Sequence, residues 1–219
     1  MPVDYKKIYT QDYFNGKNSF FYKLGYGRFA KFYFDNLFKS LRPYLKKITT
    51  EGRVLDVGCA YGFMLERFPD VFEKFGIDIS DYAIREARKR LPGVTFKIGN
   101  VEDELPFPEA SFDIVICNDV IEHLENPDGA LKNISKVLDR DGILFIKTPN
   151  LNWFRKKFFA YADKKEHHIS MFSRQTLSDL LVECGFKIID RWTFTIFPVF
   201  FLKFKSKLGI EQLFICQLK

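Results

Sequence analysis

Apolar residues recur at three- and four-residue spacing between Ser19 and Leu45, where Ala30, Tyr33, Phe34, Leu37, Phe38 and Leu41 share one face, and this predicts an amphipathic N-terminal helical cap. The period then changes. Short apolar runs predict buried strands at Arg53–Val57, Phe75–Ile79, Val94–Ile98, Phe112–Cys117 and Ile143–Lys147, with two more near Phe186–Phe197 and Leu213–Leu218. Helical patterns lie between them. One runs through Phe63, Met64 and Phe68; one runs from Asp81, as its cap, to Arg90, with Pro92-Gly93 ending it. A third spans Pro127 to Leu138, and a fourth spans Ser173 to Cys184 with Gly185 as a left-handed terminator. After Pro149-Asn150 the chain is polar and aromatic.

Strands separated by helix-length segments cannot pair as hairpins, so they imply right-handed crossovers and a mostly parallel sheet with helices on both faces. The expected fold is α/β, doubly wound and seven-stranded. At 219 residues the chain suits a single domain, with residues 1–50 as cap, 51–150 as ligand-binding core and 151–219 as an acceptor-side segment with the last helix and strands.

In such a sheet a nucleotide-type ligand binds beyond the carboxyl ends of the central strands, where the first turn must let it approach the backbone. Gly58 and Gly62 supply that turn in Val54-Leu55-Asp56-Val57-Gly58-Cys59-Ala60-Tyr61-Gly62. The pattern D-x-G-x-x-x-G differs from the G-x-G-x-x-G of pyrophosphate-binding domains, because Ala60 stands at the middle glycine that lets a pyrophosphate lie against the helix start. A phosphate-free cofactor is favoured. Asp56 suits a ligand ammonium, and Asp78, at the end of the second strand, suits two ribose hydroxyls.

Together VLDVGCAYGF, GIDIS, IGNVEDELPF, SFDIVICNDVIEHLENP and GILFIKTPN resemble the class I S-adenosylmethionine (SAM)-dependent methyltransferases over roughly residues 50–150. The resemblance implies a Rossmann-like methyltransferase fold with SAM as cofactor. It places Asp56, Gly58, Cys59, Ala60 and Gly62 in the first motif and Asp78, followed by Ile79, at the ribose. Asn100 and Val101 would flank adenine, and Asn118, Asp119 and Val120 would line the methionine part. Two departures stand out: Asn100 replaces a frequent Asp, and Ala60 a frequent Gly.

Methyl transfer to a protonated acceptor needs a base, and His123 and His168 are the candidates. His123 follows the fourth strand at the ligand-facing edge, where a structural hydrogen bond is the competing role. Its segment resembles the E-H element of ubiquinone-biosynthesis O-methyltransferases, whose acidic neighbours bear on a divalent ion. Asp119, Glu122 and His123 alone do not make an oxygen-rich cage, so no metal is expected. His168 lies in an H-x-x-x-F-S element resembling the one that borders the acceptor pocket in small-molecule members; positioning that loop is its alternative role.

Nucleic-acid chemistries leave little trace. Asn118-Asp119-Val120-Ile121 lacks the prolines and aromatic residue of adenine amino-group methylation, and neither Pro-Cys nor Thr-Cys occurs for cytosine carbon-5 methylation. The expected acceptor is an O or N atom of a small or lipid-like molecule. RNA methylation, a non-catalytic SAM-binding subunit and, behind them, an NAD-dependent oxidoreductase are the alternatives.

Charge sharpens this picture only when divided along the chain. Residues 1–50 carry 10 Lys/Arg against 3 Asp/Glu, residues 51–150 carry 12 against 19, and residues 151–219 carry 12 against 6. Both ends are basic. Two aromatic, basic segments, Trp153–Phe159 and Val199–Lys205, follow the fifth and sixth strands and could form a lip touching an anionic membrane. The longest apolar run, Phe194 to Leu202, is too short to span a bilayer. Cys59, Cys117, Cys184 and Cys216 form no CxxC pair and read as reduced, which with the polar N-terminus suggests the cytoplasm.

Overall fold

A computed structural model describes residues 3–17, 26–47, 51–197, 200–204 and 209–219. Its centre is a single sheet in the order β3-β2-β1-β4-β5-β8-β6-β7. The strands are β1 (Gly52–Val57), β2 (Phe72–Asp78), β3 (Thr95–Ile98), β4 (Phe112–Asn118), β5 (Leu138–Pro149), β6 (Phe186–Phe197), β7 (Phe200–Phe204) and β8 (Glu211–Leu218). The first five pair in parallel; β8 runs antiparallel between β5 and β6. The expected seven strands are present, and β7 adds an eighth by pairing antiparallel with β6.

Period-two alternation divides the core between two faces. Ile114 and Ile116 of β4 join Phe145, Trp192 and Ile215 under one helical layer, while Val115 and Cys117 join Leu144, Ile146 and Phe214 under the other. Helix α3 (Tyr26–Leu41) contributes Phe34, Leu37 and Leu41 to the first layer, and α4 (Asp81–Arg90) contributes Ile84 and Ala87. Helices α5 (Pro127–Val137) and α8 (Arg174–Glu183) close the second layer through Leu131, Ile134, Leu177 and Leu181. This is the doubly wound arrangement.

Four local readings are corrected. After Gly62 the chain makes only a short 3-10 turn, Leu65–Arg67, instead of a helix, since Pro69 disfavours helical backbone at Phe68 before a second turn can form. The cap of α4 is Ser80, whose hydroxyl accepts from the Ala83 N–H, not Asp81, which lies inside the helix. Helix α3 ends at Leu41 and passes into a 3-10 segment, Arg42–Lys47, containing Pro43; of the expected span, residues 19–25 lie outside the described residues. The aromatic stretch after β5 folds into α6 (Trp153–Phe158) and α7 (Ala160–Lys165).

Ahead of the cap, α1 (Tyr5–Ile8) and α2 (Gln11–Phe14) lie against the carboxyl edge of the sheet. Among the described residues no helix is long and apolar enough to cross a membrane. All four cysteines are free and buried, and burial pushes each thiol up.

Candidate active site

The turn after β1 is built by backbone geometry. Gly58 and Gly62 have φ of +68° and +72°, a left-handed region that only glycine enters without strain. A Cβ on Gly58 would stand 2.3 Å from Val120 Cγ2, so the turn and the loop after β4 pack together only because that atom is missing. Ala60 takes φ +44° despite its side chain. Its N–H donates to Asp78 Oδ2 (2.9 Å), and the Ser80 N–H donates to Oδ1 (2.8 Å). Asp78 therefore ties the first turn to the second strand. Burial raises its pKa, and the two N–H donors partly offset this.

Gly58, Ala60, Asp78, Ile79, Asn100, Val101, Asp119, Val120 and His123 all line one cleft at the strand ends. The other predicted residues stand behind it or beyond it. Asp56 is 3% exposed beneath the turn, and no described residue donates a hydrogen bond to its carboxylate. Burial, then the Asp78 charge, pushes its pKa well up. Cys59 turns into the core, where its Sγ would meet a Cβ on Gly76 at 2.8 Å. Gly62 packs on Leu91 and Phe96. The Asn118 amide donates to Asp119 Oδ2 (3.2 Å), while its buried Oδ1 has no hydrogen-bond partner among the described residues.

The loop after β3 is held from two directions. Asn100 Oδ1 accepts from the Glu102 N–H (3.1 Å), and the Asn133 amide of α5 donates to the carbonyls of Val101, Glu102 and Asp103. Sequence reasoning missed Asn133, a polar residue one turn from the apolar face of its helix.

It also missed the groups that fix Asp119. Lys147, 4% exposed at the end of β5, bonds Asp119 Oδ1 and lies 2.6 Å from Glu211 Oε2; Tyr33 donates to Asp119 Oδ2 at 3.0 Å. Glu211 accepts from Arg155 (2.8 Å), Arg155 pairs with Asp163 (2.6 Å), and Asp163 bonds His168 Nδ1 (3.0 Å). Alternating charges thus connect the cleft at the strand ends to His168. Burial raises the Asp119 pKa, but Lys147 and Tyr33 outweigh it and leave the carboxyl below its usual value. Lys147 is held well above its usual value by Asp119 and Glu211 against the opposing effect of burial.

The two histidines meet edge to face, ring centroids 4.8 Å apart. Burial, then His168, pushes His123 down to about 3, so its imidazole is neutral at physiological pH. Glu122, His123 and His168 each offer a donor atom within 4.8 Å of the others. Asp119, committed to Lys147 and Tyr33, is not among them. One carboxylate and two imidazoles do not make the oxygen-rich cage that a hard divalent cation takes.

The chain matches known proteins in sequence and in fold. A family model described as a methyltransferase domain matches residues 29–191. The chain belongs to the class I SAM-dependent methyltransferase family. A Mycolicibacterium smegmatis protein named "Probable S-adenosylmethionine-dependent methyltransferase" is 31% identical over 140 residues, covering 63% of this chain and 52% of that one. A ubiquinone biosynthesis O-methyltransferase of Neisseria meningitidis is 32% identical over 108 residues, covering 46% and 45%. The chain therefore spans about half the length of these curated relatives. A SAM-dependent methyltransferase structure from Thermotoga maritima has the same fold, with TM-score 0.65 and 22% identity over 89% of this chain and 98% of that one.

SAM, the methyl donor of this family, fits what the cleft offers. Gly58 and Ala60 bring the backbone of the first turn to its wall, and the Asp78 carboxylate beside them is an acceptor suited to ribose hydroxyls.

Proposed function

We propose that this single methyltransferase domain moves a methyl group from SAM to an oxygen or nitrogen of a small or lipid-like acceptor. The observation that carries the reading is the convergence of nine predicted residues, from four parallel strand ends, on one cleft with His123 in its wall. SAM supplies a methyl carbon activated by the sulfonium; as the acceptor bonds to it, the carbon–sulfur pair stays on sulfur.

The protein's part is holding, excluding water and moving one proton. Asp78, followed by Ile79, holds the ribose, Asn100 and Val101 flank adenine, and Asn118, Asp119 and Val120 with Asp56 receive the amino-acid end. Gly58, Cys59, Ala60 and Gly62 shape the turn. Tyr5, Tyr9, Tyr13 and Phe14 cover the cleft and keep water out. His123 or His168 takes the proton of a hydroxyl or amine acceptor, His123 only as a weak base because burial lowers its pKa.

Titration calorimetry is expected to show SAM binding and no NAD binding, and labelled SAM incubated with host extracts is expected to mark the low-mass or lipid fraction. Label confined to RNA would transfer the assignment to RNA methylation, and SAM binding without transfer to a non-catalytic subunit.

A cytoplasmic enzyme that touches anionic membrane through α6 and α7 completes the reading. Trp153, Phe158 and Tyr161 are 69%, 58% and 83% exposed, and Lys156, Lys157 and Lys164 are exposed beside them. Aromatic rings enter a bilayer interface while lysines meet its headgroups. Of the second half of the expected lip, residues 200–204 form β7, while their side chains, and residues 199 and 205, lie outside the described ones. Sedimentation with phosphatidylglycerol vesicles should fall as salt rises, and Trp153→Ser/Phe158→Ser should abolish it. Unchanged pelleting by that variant would discard the contact.

A further inference from the structure

The tyrosines over the cleft at the strand ends differ in what their hydroxyls do. Tyr5 accepts from the Glu125 N–H (2.9 Å), and Tyr13 donates to Glu166 (3.0 Å). Tyr9 lies between them, and among the described residues its hydroxyl has no hydrogen-bond partner. Its backbone and ring are nonetheless held. The Tyr9 carbonyl accepts from Ser80 (2.6 Å), whose own N–H bonds Asp78, and the ring meets Tyr13 and His123 edge to face with centroids 5.0 and 5.6 Å away. Burial, then the Glu122 charge, raises the phenol above its ordinary pKa, so Tyr9 keeps its proton and is a donor.

His123 supplies the opposite half. Its Nδ1 lies 3.3 Å from the His167 carbonyl, which can only accept, so Nδ1 carries the proton and Nε2 is left as a lone-pair acceptor with no partner among the described residues. Tyr9 and His123 both line the cleft, and among the described residues no lysine or arginine lines it. An unpaired donor and an unpaired acceptor thus stand in ring contact at one wall.

We propose that Tyr9 is a catalytic residue that donates to the reacting atom of the acceptor, and that the Tyr9–His123 pair selects a neutral hydroxyl oxygen over a nitrogen. The inference rests on the methyltransferase reading for its reaction and narrows the acceptor. A hydroxyl oxygen has two lone pairs and one proton. One lone pair accepts from Tyr9, the other attacks the methyl carbon, and the proton passes to His123 Nε2. The oxygen–methyl bond forms as the O–H and carbon–sulfur bonds break, and the carbon–sulfur pair stays on sulfur.

An amine nitrogen has one lone pair, so accepting from Tyr9 would block its attack. Its acidity is wrong as well. His123, pushed down to about 3, cannot draw a proton from an ammonium group with a pKa of about 10. A hydroxyl oxygen becomes a strongly acidic oxonium as the methyl group joins it, and a weak base is enough to take that proton. An acceptor that arrives as an anion finds no cationic side chain in the lining.

The test uses the full chain, tritium-labelled SAM and host extracts. SAM binding by calorimetry and transfer of label come first, and failure of either discards the methyltransferase reading itself. The labelled product is then heated with hydriodic acid under conditions that release O-methyl groups as volatile methyl iodide and leave N-methyl groups in place. Release of the label is expected. Retained label would overturn the proposal and leave the methyltransferase reading intact. Tyr9→Phe keeps the ring contacts and removes only the unpaired hydroxyl, so its thermal unfolding should match wild type. Its transfer rate at saturating SAM should fall about tenfold, the loss of one hydrogen bond to the reacting atom, with SAM affinity within about twofold of wild type. An unchanged rate, or a loss of SAM affinity as large as the loss of rate, would place the hydroxyl away from the acceptor and overturn the assignment.

Discussion

Asp78→Ala is expected to weaken SAM binding by about a hundredfold or more, from the loss of two hydrogen bonds to a charged acceptor. The residue has two tasks in one carboxylate. Its oxygens receive the N–H groups of Ala60 and Ser80, which set the first turn, and their remaining lone pairs face the cleft where ribose hydroxyls would sit. Asp78→Asn keeps one acceptor oxygen and should fall between wild type and alanine. Calorimetry reads the affinity, and thermal unfolding in the absence of SAM separates loss of the turn from loss of the ribose contact. An unchanged affinity in the alanine variant would remove Asp78 from the cofactor site.

The second large effect is expected at Lys147. This buried ammonium lies between Asp119 and Glu211, and its removal in Lys147→Met leaves two carboxylates facing each other without a cation between them. Breaking a fully buried ion pair from one side costs about 3–5 kcal/mol; Glu211 keeps Arg155 and the Asp119 side chain is 35% exposed, so a loss at the lower end, about 3 kcal/mol, is expected here. Urea denaturation should show that loss at neutral pH. The pH dependence should also reverse. In the wild type the Asp119 pKa is depressed, so its contribution is complete above the unfolded-state value and is lost as pH falls through the folded one. In the variant, falling pH neutralises a stranded carboxylate and should restore stability. A variant as stable as wild type, with the same pH slope, would show that the charges are compensated elsewhere.

The sheet was readable because each central strand is a short run of buried apolar residues punctuated by turn residues, and Gly58, Asp78 and Asn100 lie at strand ends where parallel topology places a ligand. What the sequence concealed depends on distance along the chain. Lys147 looks like the polar end of a strand until β8 lies beside it with Glu211 near the same edge. Arg155 and Asp163 read as surface charges in an aromatic stretch, yet both are buried and paired eight residues apart across the α6–α7 turn. A lysine inside a strand edge that faces ligand, with an acid on a later strand, is the signal that could have found the pair. The error after Gly62 has a different origin: apolar spacing suggested a helix, but Pro69 arrives too soon for one to be completed.

Tyr5, Tyr9, Tyr13 and Phe14 have a consequence for traffic through the cleft. Ser80 donates to the Tyr9 carbonyl at 2.6 Å, the Glu125 N–H donates to the Tyr5 hydroxyl at 2.9 Å, and Tyr13 reaches across to Glu166 at 3.0 Å. One short strap is thereby fastened to the loops after β2 and β4 and to the segment that carries His168. With the cofactor in this cleft as proposed, release of the strap is expected to set its residence time, so exchange of spent for fresh donor and undocking of these rings should proceed together.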